Sequence, residues 1–221
     1  DEGVSGIFQR CFSKSAKDMR TISLAPTLIV IAVCAFLAIY VYKQYSKTRI
    51  LFSIYIWIII AWLLTNYFSL STSDLPRILF WLRIVMALSV LQIFFLFLFV
   101  HTFPQKKIVL SRKWLYSLII LTFISAVNAT SPFIFKKISI VNNLPEASMS
   151  YGMIILFIHP FSLSIMTLFL FLVKIRILSG IQKIQWLYIT AGFIFSYSCI
   201  LFFNFLIVNF FFHSTYFVKF S

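Results

Sequence analysis

Apolar residues in this chain are not spaced at helical or strand intervals. They form long runs that are apolar on every face, interrupted by short polar turns. Stretches such as "IYIWIIIAWLL" (Ile54–Leu64) lack the period-two alternation of a membrane-spanning barrel strand. Crossing a bilayer takes about 20 apolar residues in a helix. Six stretches reach that length: 24–42, 50–70, 78–103, 114–135, 151–173 and 185–212. Lipid offers no partner for a free backbone N–H or C=O, so a helix that bonds internally is the element expected in each. The expected fold class is all-α: a polytopic transmembrane helical bundle with six spans.

The polar turns set an expected orientation. The loops after spans one, three and five hold ten cations: Lys43, Lys47, Arg49, Lys106, Lys107, Arg112, Lys113, Lys174, Arg176 and Lys183. The other two loops hold three: Arg77, Lys136 and Lys137. Cations in short loops stay on the cytoplasmic side. This places the N-terminus outside, although Arg10, Lys14, Lys17 and Arg20 in the N-terminal flank pull the other way. The end of span six then also lies outside. A chain that delivers a signal to the cytoplasm needs a seventh span, so this one is expected to be part of a longer protein. Residues 1–18 are polar and read as a separate tail, either upstream read-through before Met19 or disordered. A cleaved signal peptide over Met19–Ala38 is the alternative for the first apolar run.

Composition narrows the function classes. The 221 residues are 62% hydrophobic and 11% charged, where soluble domains average about a quarter charged. The net charge of +14 would suggest nucleic acid in a soluble protein. Here the cations sit in the short loops, and no nucleic-acid partner is expected. Cys11, Cys34 and Cys199 are isolated, with no metal-ligand or redox spacing. Outside the tail the acids are Asp74 and Glu146, both in expected external loops. No catalytic motif, paired carboxylate or phosphate-binding glycine loop is present. The expectation is therefore no enzyme, catalytic residue, metal or cofactor, with the lipid bilayer as the first partner.

Polar side chains inside the spans are costly and are candidates for function. Arg83 enters span three, where it can snorkel outward, pair with Asp74 or contact a ligand. Gln92 lies at mid-span, His159 precedes Pro160 in span five, and Asn204 lies in span six. Arg83, Gln92, His159 and Asn204 are thus the candidate ligand or switch residues. Asn128 and Asn209 read as interhelical packing groups. Trp81, Trp114 and Trp186 fall near span starts, where an interfacial aromatic belt is expected.

One loop is more specific. In "KIRILSGIQKIQWLYITAG" (Lys174–Gly192), Gly180, Lys183, Gln185, Tyr188 and Gly192 follow the order G-x-x-[KR]-x-Q-x-x-Y-x-x-x-G. Span three opens with Trp81 and Arg83 and closes on Phe99, Phe103 and Pro104. In these features, from Leu24 to Ser221, the chain resembles the N-terminal seven-transmembrane region of bacterial sensor histidine kinases. The resemblance implies a sensory or input domain in the bacterial cytoplasmic membrane and a homodimer. It also implies a fused or adjacent cytoplasmic signalling module, to which any kinase activity would belong. The alternatives are a transporter or lipid-handling enzyme subunit, and a structural subunit of a larger membrane complex.

Overall fold

A computed structural model describes residues 27–42, 46–72, 74–105, 110–141, 144–149 and 152–201. Among them are six helices. These are α1 (Thr27–Tyr42), α2 (Lys47–Ser71), α3 (Leu75–Thr102), α4 (Arg112–Thr130), α5 (Gly152–Ile177) and α6 (Gly180–Leu201). A two-stranded antiparallel hairpin, β1 (Phe135–Val141) and β2 (Leu144–Met149), joins α4 to α5. The bundle is helical, as the apolar runs require. Four of the helices, within α2, α3, α4 and α5, are long and apolar enough to cross a membrane. At 1.5 Å per residue, the 25 residues of α2 extend about 37 Å, enough for a hydrocarbon core of about 30 Å.

The helix ends follow local chemistry. Ser46 caps α2 by accepting the Arg49 N–H at 3.3 Å. Asp74 occupies the N-cap position of α3 without a side-chain cap hydrogen bond, and Pro76 lies in the first turn, where a missing N–H costs nothing. Ser111 precedes α4, and at its far end the Ser131 hydroxyl donates to the Asn128 carbonyl at 2.7 Å. Only Leu178 and Ser179 separate α5 from α6, and Gly180 takes φ +57°, a left-handed backbone that glycine adopts without steric cost. Lys174, Arg176 and Lys183, expected in a polar loop, thus stand in the last turns of α5 and the first turn of α6.

α3 is the central helix. It packs against α2, α4, α5 and β1, and the run Leu96–Val100 is buried on all faces. The outer helices carry large exposed apolar side chains, among them Phe36, Phe123, Phe161 and Phe169, as a lipid-facing surface does. Lipid supplies no hydrophobic drive between helices, so packing and interhelical hydrogen bonds must hold them together. Such bonds recur from pair to pair. Ser53 donates to the Ala38 carbonyl (3.1 Å, α2 to α1) and Trp62 Nε1 to Ser89 Oγ (3.0 Å, α2 to α3). Trp186 Nε1 donates to the Phe171 carbonyl (3.1 Å, α6 to α5). Hydroxyls without an interhelical acceptor bond to the carbonyl four residues back, as Thr65, Thr167 and Thr190 do.

The hairpin lies in a connection that the apolar pattern marks only as a loop, and it shortens the fourth span. α4 stops at Thr130, and Ile134 and Phe135, both buried, turn under α3 into β1. There they pack with Val90, Ala129, Met153 and Leu156. Gly152 at the start of α5 permits this approach: a Cβ there would lie 2.5 Å from the Phe133 carbonyl oxygen.

Candidate functional site

The expected candidate residues do not converge on one cavity. Arg83 is held at the hairpin end, where Nη2 donates to the Phe135 carbonyl at 2.7 Å while Nε is buried with no partner. The expected pairing with Asp74 is not formed. Asp74 Oδ2 instead meets Arg77 Nε at 3.3 Å, one turn away and largely exposed, so Arg83 serves to tie α3 to β1. His159 is buried at 6% exposure between α4 and α5, with Nε2 3.0 Å from Thr122 Oγ1. The Thr122 hydroxyl spends its one proton on the Leu118 carbonyl at 2.7 Å, so it accepts from His159 Nε2–H. Pro160 follows at once within the continuous α5, and next to it Ser162 donates to the His159 carbonyl and Ser164 to the Pro160 carbonyl, each at 2.8 Å. A small apolar cavity of about 190 Å³ lies beside it, between Met86, Val90, Leu156 and Pro160. Gln92 is half-buried on α3 and makes no side-chain hydrogen bond among the described residues. Asn204, Asn209, residues 202–212 of the sixth expected span and the 1–18 tail lie outside the described residues.

The polar chemistry gathers at the other end of α3, around Lys174. In the last turn of α3 the Phe99 and Thr102 carbonyls accept the N–H groups of Phe103 and Gln105, while those of Val100 and His101 receive no backbone N–H among the described residues. Lys174 Nζ, from α5, donates to the carbonyls of Val100, His101 (3.0 Å) and Phe103. A cation at a helix C-terminus also complements the negative end of the helix dipole. The same ammonium lies 5.4 Å from the Trp186 ring centroid. Trp186 is fully buried, stacked between Phe171 (4.9 Å) and Phe103 (5.2 Å). It is therefore a core side chain of α6 and not the interfacial anchor its place in the sequence suggests. Trp81 stacks on Phe68 at 5.1 Å, and Trp114 is 68% exposed. His101 Nδ1 and Thr102 Oγ1 are buried beside this junction without partners. Lys174, Phe103 and Trp186 thus join α3, α5 and α6 at one point.

Against this junction opens a pocket of about 490 Å³ between the ends of α1, α2, α3 and α6. Its lining mixes apolar side chains (Phe52, Phe99, Phe103) with polar ones (Thr48, Arg49, Gln182, Gln185). Thr48 Oγ1 donates to the Gln105 carbonyl and holds α2 to the segment after α3. Of the five ordered residues in the Gly180–Gly192 pattern, Gln185 alone lines this pocket. Tyr188 is 77% exposed, Lys183 is exposed, and a Cβ at Gly192 would meet nothing within 4 Å. Sequence reasoning took Lys174 for a topology signal. Its partners lie 71 to 74 residues away, a separation that no local pattern announces.

Fold and site define a membrane-embedded helical bundle with a cation-anchored helix junction at its basic end. Among the described residues no three His, Cys, Asp or Glu side chains come together to hold a metal. No protein-family model, curated protein or solved structure matches the chain.

Proposed function

We propose that this chain is the membrane-embedded sensory domain of a bacterial signal-transduction protein, of the seven-transmembrane type that precedes histidine kinases. In this reading it sits in the cytoplasmic membrane with its N-terminus outside and passes a conformational signal to a fused or adjacent cytoplasmic module. The observation that carries the reading is the Lys174 junction. One ammonium binds the end of α3 to α5 and, through Trp186, to α6, at the end of the bundle where Lys47, Arg49, Arg112, Lys113, Arg176 and Lys183 also lie. A shift of α5 along α3 by a helical turn would carry the ammonium away from these carbonyls, which gives the helix pair two arrangements to exchange between. A stimulus that binds one arrangement better shifts the population toward it by its differential affinity. The ordered Gly180–Gly192 pattern at the start of α6 supports the same assignment through its resemblance to that family.

Two measurements test this. The coding sequence after Ser221, or the neighbouring gene, is expected to encode a PAS, kinase or diguanylate cyclase module; its absence from both would contradict the proposal. In nanodiscs carrying the bundle with that module, Lys174→Met is expected to change the output activity severalfold, while the isolated module is unaffected. Unchanged output in the folded variant would remove the junction from the signalling route.

A further inference from the structure

The geometry points to the pocket between α1, α2, α3 and α6 as a binding site for an anionic membrane lipid, with the phosphate headgroup at Arg49 and Gln185 and the upper acyl chain against Phe52, Phe99 and Phe103. A volume of about 490 Å³ suits a headgroup with the first part of a chain, and the pocket is open at the helix ends, where headgroups lie. Its mixed lining selects an amphiphile over a simple ion: the Phe52 and Phe99 rings, 5.0 Å apart, offer an apolar surface that a free anion would leave bare. The charge around it selects an anion. Lys47, Arg49, Arg112, Lys113, Arg176 and Lys183 all lie at helix ends on this side of the bundle. Both carboxylates outside the N-terminal tail, Asp74 and Glu146, lie at the start of α3 and in the hairpin, at the opposite end. With no described carboxylate to cancel it, the field over the mouth is positive, and basic pockets between helices at a membrane surface hold phosphate headgroups. Arginine suits the role because its planar fork matches phosphate oxygens. The site is independent of the signalling proposal and stands if that proposal fails.

The test is lipid retention by the purified full chain. It is taken from vesicles of mixed phosphatidylglycerol and phosphatidylcholine and read by native mass spectrometry. The wild type is expected to retain phosphatidylglycerol preferentially. R49Q/Q185L is expected to lower that retention about fivefold, the loss that one surface cation-to-lipid contact carries. R49K is expected to keep most of it, and K113Q, which weakens the surrounding field but lies outside the pocket, to lower it by less than about twofold. R49Q alone, at an exposed position, carries the same test if the double variant does not fold. Equal retention of both lipids, or an equal loss in K113Q, would overturn the site in favour of a diffuse surface potential. Displacement of the bound phosphatidylglycerol by millimolar inorganic phosphate would assign the pocket to a free anion and overturn the lipid.

Discussion

Lys174 belongs to a run of cations that sidedness alone would explain, yet its ammonium ends among the last carbonyls of α3. Replacing it by methionine keeps the length and removes every donor. The expected loss is about 2–3 kcal/mol, from stranded carbonyls and a lost charge-assisted contact, read as the melting temperature in detergent. Lys183→Met, exposed in the first turn of α6, is expected to change stability by less than about 0.5 kcal/mol. The two lysines look alike in the sequence because charge is local information, while a partner more than 70 residues away is not. His159 shows the same division. Its residue type and mid-span position mark it as a candidate, but its partner Thr122 lies on another helix among several hydroxyls of equal appearance. Thr122→Val is expected to cost about 1 kcal/mol, and Thr122→Ser nearly nothing. A stability equal to wild type in Thr122→Val would remove the bond from the packing of α4 on α5.

At the scale of elements, the helices were readable because each is a long apolar run. Helix edges moved by a few residues where a cap or Gly180, and not hydropathy, decides the end. The hairpin was not readable. β2 carries Pro145, which weakens a strand assignment, and a two-stranded ribbon is barely stable alone. What fixes it is tertiary: Arg83 bonding the Phe135 carbonyl, and Phe135 buried under α3. Arg83→Gln is expected to speed amide exchange across 135–149 at least several-fold while exchange in α2 stays unchanged; a uniform change would assign Arg83 to global stability. Gly152→Ala is expected to cost about 1–3 kcal/mol, because its methyl would meet the Phe133 carbonyl and ring.

At the scale of the whole molecule, a helical bundle in lipid followed from composition and the unbroken apolar runs, while the arrangement inside it did not. Hydropathy cannot rank helices by centrality, because lipid and protein interiors are equally apolar. α3 is central because it lies between α2, α4 and α5, with 44% of its apolar stretch buried against 17% in α4. The ordered glycines and tyrosine at the start of α6 were readable as a pattern, but Tyr188 and Gly192 face outward, so packing within the bundle does not explain their spacing. The proposed signalling role depends on the basic end, with its Lys174 junction and its pocket, facing the cytoplasm. Single cysteines at Lys113 and Glu146, in a chain with Cys11, Cys34 and Cys199 changed to serine, test that most directly. On intact cells a membrane-impermeant maleimide is expected to label position 146 and to reach position 113 only after permeabilisation. Labelling of position 113 on intact cells, with position 146 protected, would contradict the orientation and with it the signalling role.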